Sequence, residues 1–259
     1  MRVAVLGSGS AGNCLVVESA GRRILIDAGF SCREIEARCR RVGIAPESLE
    51  AVVITHEHND HSLGADRLAR RFGLAIYATE GTLKALAWSR DARPRLHAIA
   101  AGWPYEIGGF EVESFSVPHD ASDPVGLVIA DRSGARIGIA TDLGCWNRLA
   151  AARLQGVDLL VLEANHDLEM LRRGPYPWVL KQRVASRHGH LSNAQAAEAL
   201  PELVSDRLRS VVLYHLSRTN NEPALAAVAI GEALERAGSS ASVTLTEQSK
   251  PGSWMEVRQ

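Results

Sequence analysis

The sequence has no run of about 18 apolar residues, the length that a helix needs to cross a membrane. Its apolar amino-terminal stretch is too short for the hydrophobic region of a secretory signal, and no small-residue cleavage site follows it. These absences predict a cytoplasmic protein without a membrane partner. Cysteine is scarce, and because the four cysteines form no Cys-x-x-Cys pair, we expect them to be reduced thiols.

An excess of charge of either sign is also missing, since the formal net charge at pH 7 is −1. A nucleic-acid-binding protein with this balance needs a local basic patch instead of a basic surface. Low-complexity tails, short repeats and long linkers are absent as well. The chain does have 259 residues with 46% hydrophobic content, which can bury a full core, and we predict one domain over residues 1–259.

The densest cluster of metal-binding residue types lies between Thr55 and His61. The apolar run 51–54 precedes this cluster and predicts a buried strand. The loop then supplies three imidazoles and two carboxylates: His56, Glu57, His58, Asp60 and His61. A strand followed by such a loop lets a rigid scaffold present a metal site. We interpret the loop as the first half of a two-metal hydrolytic centre.

Three further ligand types follow apolar predicted strands, namely His119, Asp142 and His215. Divalent metals bind neutral imidazole nitrogen and carboxylate oxygen. Two ions about 3.5–4 Å apart need a shared carboxylate or hydroxide between them. We predict that Asp142 bridges the two ions. The two expected ligand trios are His56, His58 and His119 for one ion, and Asp60, His61 and His215 for the other.

The glycine-rich segment after the first predicted strand has the spacing Gly7, Gly9 and Gly12, which fits a dinucleotide-binding loop. A strand-like stretch, 14–18, follows it instead of a helix, so we interpret the segment as a turn. Ser8, Ser10 and Asn13 remain candidates to line the site from this turn. Asp27 ends the next predicted strand and either accepts a hydrogen bond from a ligand imidazole or caps a turn.

The remaining pattern alternates strands with helices, and strand-rich halves with outer helices favour a four-layer αββα sandwich over a doubly wound sheet. Ser192 and Gln195 form a capping box for one of the helices. Helices are predicted at 31–42, 63–72, 79–88, 146–154, 176–186, 193–200 and 223–237.

The ligand order described above resembles the metal motifs of the metallo-β-lactamase superfamily over nearly the whole chain. His61 makes the pattern similar to that of glyoxalase II, tRNA-processing nucleases and phosphodiesterases, and less similar to antibiotic-degrading enzymes. The resemblance implies a metal-dependent hydrolase of α/β sandwich fold with two divalent ions, for which zinc, manganese and iron all suit mixed histidine and carboxylate ligands. A narrower resemblance is to the YycJ (WalJ) family, which is associated with 5′→3′ exonuclease action on DNA. It is carried by the segments 7–13, 163–167, 174–177, 180–181 and 189–193.

The stretch from Arg172 to His190 supports a phosphodiester substrate, because it contains five arginines and lysines and no aspartate or glutamate. We expect it either to seat phosphates, with Lys181 and Arg183 as candidate contacts, or to be a solvated helix face. Tyr176 and Trp178 either stack on bases or pack in the core. The helix that begins after Ser192 makes Asn193 a further candidate anion contact.

His190 precedes that helix, and we expect it either to protonate the leaving alkoxide or bind phosphate, or to bond the backbone. Asn165 and His166 follow a predicted strand and are candidates to line the same cleft. Asp60 is expected both to bind metal and to orient the nucleophile. We therefore predict a binuclear phosphodiesterase, a 5′→3′ DNA exonuclease in which a metal-bridging hydroxide attacks phosphorus. The alternatives are a small-molecule hydrolase, acting on a cyclic phosphodiester, thioester or lactone, and a non-catalytic metal-bound binding module. The oligomeric state stays open.

Overall fold

The computed structural model describes residues 1–89 and 94–257, and within these residues two seven-stranded sheets lie face to face. The first sheet has the order β14-β1-β2-β3-β4-β5-β6. Its strands are β1 (Arg2–Gly7), β2 (Cys14–Ser19), β3 (Arg22–Ile26), β4 (Ala51–Val53), β5 (Ala75–Thr79), β6 (Arg95–Ile99) and β14 (Met255–Glu256). Because β3, β4, β5 and β6 are parallel, the loops that leave β3 and β4 lie at the same edge.

The second sheet has the order β13-β12-β11-β10-β9-β8-β7. Its strands are β7 (Pro104–Ile107), β8 (Phe110–Ser116), β9 (Val125–Ala130), β10 (Arg136–Ala140), β11 (Leu159–Glu163), β12 (Ser210–Tyr214) and β13 (Ser242–Leu245). The strands β10 to β13 are parallel, and β8 runs in the same direction because it is antiparallel to β9, which is antiparallel to β10. The carboxyl ends of β8, β10, β11 and β12 therefore share one edge.

Helices cover the outer faces of both sheets. The described α-helices are α1 (Cys32–Arg41), α2 (Asn59–Ser62), α3 (Ala65–Phe72), α4 (Glu80–Ala85), α5 (Arg148–Leu154), α6 (Leu168–Arg173), α7 (Trp178–Val184), α8 (Asn193–Ala199) and α9 (Pro223–Arg236). Ser31 caps α1, and Ser192 and Gln195 form the predicted capping box of α8. No helix in the described part of the chain is both long and apolar enough to span a membrane.

Three groups of buried apolar residues hold the four layers together. The central group joins the inner faces of the sheets, with Ile26 and Val53 from the first and Ile137 and Val161 from the second. The two outer groups pack helices on each sheet, for example Ile35 of α1 on the first and Ile230 of α9 on the second. Each sheet packs against the other sheet on one face and against helices on the other face. Because both faces are buried, the inner strands are apolar throughout. The predicted αββα sandwich is confirmed.

Several predicted element boundaries need correction. The helix expected at 79–88 ends at Ala85. The helix expected at 63–72 is preceded by the separate helical turn α2, which contains two of the candidate metal ligands. The helix α6 and the edge strand β14 were not predicted. The single domain predicted over 1–259 includes residues 90–93 and 258–259, which lie outside the described residues, and its extent stays a prediction.

Candidate metal centre

The candidate ligands meet where strand ends of the two sheets face each other. His56 lies in the loop after β4 of the first sheet, while His119 follows β8 of the second. Asp142, Glu163 and His215 lie at or just beyond the carboxyl ends of the parallel neighbours β10, β11 and β12. The parallel arrangement puts these three side chains at one edge.

Three residues at these strand ends have left-handed backbone conformations that side chains other than glycine rarely adopt. The φ angles are 57° at Asp27, 54° at Asp142 and 57° at His215. Such conformations cost about 1–3 kcal/mol each and persist where the surrounding structure fixes them, commonly at functional sites. The strained backbone thus occurs at two predicted ligands, Asp142 and His215, and at Asp27, which contacts the predicted ligand His61.

The first predicted trio brings its ring nitrogens together. His56, His58 and His119 each offer one nitrogen, and these atoms lie within 4.8 Å of one another. His119 Nε2 is 3.2 Å from His58 Nδ1. His56 Nε2 is buried and has no hydrogen-bond partner among the residues that the structure describes. Because an unpartnered buried nitrogen is costly, this orphaned atom fits a metal ligand better than a structural histidine.

The second predicted trio also converges, with one donor atom each from Asp60, His61 and His215 within 4.8 Å. His215 Nε2 is 3.0 Å from Asp60 Oδ2, and His61 Nε2 is 3.6 Å from the same oxygen. The donor set of two imidazoles and one carboxylate matches the nitrogen and oxygen ligands of zinc, manganese or iron.

Asp142 lies between the two trios and is buried. Its Oδ2 is 3.1 Å from His61 Nε2, while its Oδ1 is 3.7 Å from His119 Nε2 and 3.6 Å from His215 Nε2. Burial raises the pKa of this carboxyl, but the surrounding histidines outweigh burial and hold the pKa well below its usual range. An ionised oxygen pair that reaches both trios is the arrangement a bridging ligand requires.

Neighbouring groups orient the ligand imidazoles through their other ring nitrogens. The carboxylate of Asp27 accepts a hydrogen bond from His61 Nδ1 at 2.7 Å and from Thr55 N at 2.8 Å. The backbone oxygen of Gly189 accepts from His119 Nδ1 at 3.0 Å. Both contacts leave Nε2 as the ligand atom. Asp27 thus braces a ligand imidazole, which was one of its two sequence-based interpretations.

The glycine-rich turn packs against the metal loop from the side. Asn13 N donates to the Asp60 backbone oxygen at 2.7 Å, and Asn13 Nδ2 lies 3.0 Å from His61 Nε2. The Ser8 hydroxyl accepts from His215 N at 2.7 Å and donates to Asn13 at 3.0 Å. Both side chains are buried, so these contacts position ligands; of the three candidates from this turn, Ser10 alone is exposed and lines the cleft.

The candidates from the later segments are also mostly interior. Asn165 is buried and its Nδ2 donates to the His215 backbone oxygen at 2.9 Å. Asn193 is buried and exchanges hydrogen bonds with Asn221. His166 is buried, neither of its ring nitrogens has a hydrogen-bond partner in the described part of the chain, and burial lowers its pKa to about 4. Asn165 therefore positions His215, one of the predicted metal ligands, whereas His166 and Asn193 do not line the cleft.

Glu163, which was not among the predicted site residues, also lies at the base of the cleft. Its Oε1 accepts from His190 Nδ1 at 2.7 Å, and its Oε2 accepts from Leu143 N at 2.9 Å and Leu191 N at 3.1 Å. Glu163 lies at the end of an apolar strand, and this same pattern in the sequence predicted Asp142 and His215 on the neighbouring strands. The Nδ1 atom of His190 thus bonds a buried carboxylate and not the backbone. The role of His190 as a proton donor or phosphate contact stays a prediction.

A cleft of about 320 Å³ opens above these ligands. His58, Asp60, Asp142, His190 and His215 contribute to its walls. Two trios, a shared carboxylate and an open cleft can bind two cations and admit an anionic substrate between them.

Comparison with known proteins agrees with this geometry. A sequence model of the beta-lactamase superfamily domain matches residues 22–216. Exodeoxyribonuclease YycJ of Bacillus anthracis is 35% identical over 240 residues, which cover 92% of this chain and 90% of that protein. Exodeoxyribonuclease WalJ of Streptococcus pneumoniae (strain D39) is 38% identical over 232 residues, 87% of this chain and 85% of that protein.

The chain belongs to the YycJ/WalJ family of the metallo-β-lactamase superfamily. This membership makes it a hydrolase. The Zn²⁺-bound PqqB structure from Methylobacterium extorquens shares the fold, with a TM-score of 0.75 at 21% identity over 99% of this chain and 100% of that one.

In this YycJ/WalJ family member, the basic stretch forms the rim of the cleft through α7. Arg183 and Leu180 line the cleft, but Lys181 does not, and its Nζ donates to the Arg172 backbone oxygen at 2.7 Å. Arg183 Nε donates to Asp120 Oδ2 at 2.5 Å, and Asp120 Oδ1 is 3.4 Å from His119 Nε2. Asp120 therefore joins the basic rim to the first trio, a link that sequence reasoning missed.

The aromatic residues of the rim have different surroundings. Trp178 is 69% exposed, which excludes the alternative that its side chain packs in the core. Tyr176 is half-buried. The helix α7 has no buried residue, so its surface is available to solvent along its whole length.

Proposed function

We propose that the chain is a metal-dependent phosphodiesterase that removes nucleotides from an end of DNA, acting in the cytoplasm. The observation that carries this proposal is the pair of ligand trios that share Asp142 at the base of the cleft. The names of the YycJ and WalJ relatives support DNA as the substrate. The proposed direction is 5′→3′, and the proposed mechanism uses two metal ions.

The donor set fits two divalent cations. The trio of His56, His58 and His119 would hold one, and the trio of Asp60, His61 and His215 would hold the other. When bound, such ions lower the pKa of a water to about 7 and neutralise charge on phosphoryl oxygens. The carboxylates of Asp142 and Asp60 would supply negative charge to both cations. The Asp60 carboxylate reaches the cleft surface and is therefore able to orient the attacking water as well.

His190 is the group best suited to the leaving oxygen. It lines the cleft, and its Nδ1 is engaged by Glu163 at 2.7 Å, so Nε2 remains for the substrate. Burial lowers the pKa of His190, but Glu163 outweighs burial and the pKa is raised from its usual value. A protonated imidazole can donate a proton to the departing 3′ or 5′ alkoxide.

A small-molecule phosphodiester is the second candidate substrate, and the volume of the cleft favours it. About 320 Å³ lies at the lower end of the range for small-ligand pockets. A cyclic phosphodiester would fit this volume without the rim of α7. DNA would use the rim, because a strand must leave the cleft at one side.

The test is digestion of single-stranded and double-stranded DNA, each labelled separately at the 5′ and at the 3′ end, with added Mn²⁺ or Zn²⁺. The proposal expects the 5′ label to be released first as a mononucleotide, with no internal fragments. Early release of the 3′ label would reverse the direction. Turnover of cyclic phosphodiesters with intact DNA would establish the second candidate, and tight metal binding without any turnover would indicate a binding module.

A further inference from the structure

A second cavity, separate from the metal cleft, lies between α1 and α3. It has a volume of about 670 Å³, and the turn that joins α2 to α3 forms part of its wall. Four of its lining side chains are arginines: Arg33 and Arg40 of α1, and Arg67 and Arg71 of α3. No role in the metal centre accounts for this concentration of guanidinium groups.

The positive charge in this cavity is only partly balanced. Glu36 is the carboxylate of its lining, and its Oε2 is 3.2 Å from Arg71 Nη2 and 3.7 Å from Arg40 Nη2. Within residues 1–89 and 94–257, neither Arg33 nor Arg67 has an ion pair. The nearby carboxylates are already used by other arginines: Asp66 pairs with Arg70 at 2.9 Å and Glu34 with Arg38 at 2.7 Å. An excess of positive charge therefore faces solvent in a chain whose net charge is −1.

The cavity is also close to the metal cleft along the chain. Asn59 and Asp60 line the cleft, while Leu63 and Gly64, at the end of the same helical turn, line the arginine cavity. Four helical residues span about 6 Å. This one helical turn therefore contributes to both linings, so the cleft and the arginine cavity are neighbours on the protein.

We propose that Arg33 and Arg67 bind backbone phosphates of the nucleic-acid strand whose end lies at the metal centre. The proposal rests on the proposed nuclease function for the strand itself. Guanidinium groups bind phosphate through paired N–H donors, and two of them without carboxylate partners are free to do so. The cavity would thus hold the uncut part of the strand and favour long substrates over single phosphodiesters.

The test compares Arg33→Ala/Arg67→Ala with wild type in binding a fluorescent single-stranded 30-mer with phosphorothioate linkages, which resist cleavage. Fluorescence anisotropy over a range of KCl gives the slope of log affinity against log salt. We expect several-fold weaker binding and a slope shallower by about 1.4, because each lost phosphate contact removes about 0.7 on single strands. Arg33→Lys/Arg67→Lys should restore most of the slope.

The matched control is Arg132→Ala, which removes an exposed arginine from the turn before β10, at the opposite end of that strand from Asp142. It should leave the slope at the wild-type value. Hydrolysis of bis(p-nitrophenyl) phosphate should stay unchanged in the double alanine variant, because the metal centre is intact.

Two results would overturn the assignment: equal slopes in all variants, or an equal loss on the 30-mer and the small ester. If the double alanine variant binds inorganic phosphate more weakly than wild type but binds DNA with the same affinity, the cavity is a site for a small anion instead. Failure of the nuclease function would appear separately, as absence of cleavage of any phosphodiester with the slope change still present.

Discussion

Glu163 Oε1 and His190 Nδ1 are 2.7 Å apart, and this contact joins the end of β11 to the wall of the cleft. The carboxylate cannot turn away, because its other oxygen accepts hydrogen bonds from the backbone of Leu143 and Leu191. The contact fixes the imidazole and stabilises its protonated form. The proposed proton transfer from His190 requires this protonated form, and in that proposal Glu163 acts through His190.

The first prediction concerns this pair. His190→Ala should lower kcat on DNA by about 10²–10⁴, the usual contribution of a general acid. The loss on bis(p-nitrophenyl) phosphate should be much smaller, because p-nitrophenolate departs without a proton. Glu163→Gln should lower kcat on DNA by about 10–100-fold, as expected when a positioning partner is weakened. Steady-state kinetics on both substrates measures the difference.

The control for this experiment is metal content, which should be the same in wild type and in both variants. His188→Ala removes an exposed histidine of the same segment and should leave both activities unchanged. Equal losses on the two substrates in His190→Ala would contradict a proton-donating role and point to a general disturbance of the site.

The second prediction tests the shared ligand. Asp142→Ala should abolish turnover and reduce the bound metal, because both trios lose the oxygen pair between them. Metal analysis after dialysis, together with the DNA assay, measures both effects. Asp206→Asn, at an exposed position, is the matched control. Near-normal activity of Asp142→Ala would rule out a two-ion centre built around this residue.

The third prediction concerns Asp27, whose carboxylate bonds His61 Nδ1. Asparagine tolerates the φ angle of 57° at this position, so Asp27→Asn should fold normally. It should weaken metal binding by about 10–100-fold, because the imidazole loses its charged partner. Competition with a chelator gives the metal affinity. An unchanged affinity would show that Thr55 alone suffices to hold the loop.

The convergence of the candidate ligands could be predicted because each follows an apolar strand. His56, His119, Asp142 and His215 all stand where an apolar run stops, and parallel strands bring such ends to one edge. The same rule applies to Glu163, but this residue was passed over because it still belongs to its strand. The left-handed angles at Asp142 and His215 left no signal in the sequence, since strain arises from the tertiary structure.

The basic stretch shows what a count along the chain leaves out. It contains no carboxylate between Arg172 and His190, yet Arg172 and Arg173 pair with Glu169, and Arg183 pairs with Asp120. These partners come from just before the stretch and from a distant loop. The burial of Ser8 and Asn193 was equally invisible, because a polar residue beside a turn can face the cleft or the interior.

The last prediction concerns stability at a point where the two sheets meet. Asp131, in the turn between β9 and β10, accepts hydrogen bonds from the hydroxyls of Ser133 at 2.6 Å and Ser19 at 2.5 Å. Ser19 ends β2 of the first sheet. Burial raises the pKa of Asp131, but these hydrogen bonds outweigh burial and lower the pKa to about 2. The ionised carboxylate therefore stabilises the folded chain above the unfolded pKa of about 3.9, and this contribution is lost as the pH falls from about 4 to 2.

Asp131→Asn should accordingly lower the free energy of unfolding by about 1–2 kcal/mol at pH 7. The difference from wild type should shrink at pH 3, because the wild-type carboxylate contributes less there. Urea denaturation at both pH values measures it, with Glu235→Gln, an exposed position on α9, as the matched control. A difference that stays the same at pH 7 and pH 3 would mean that the shape of the Asp131 side chain, and not its charge, joins the two sheets.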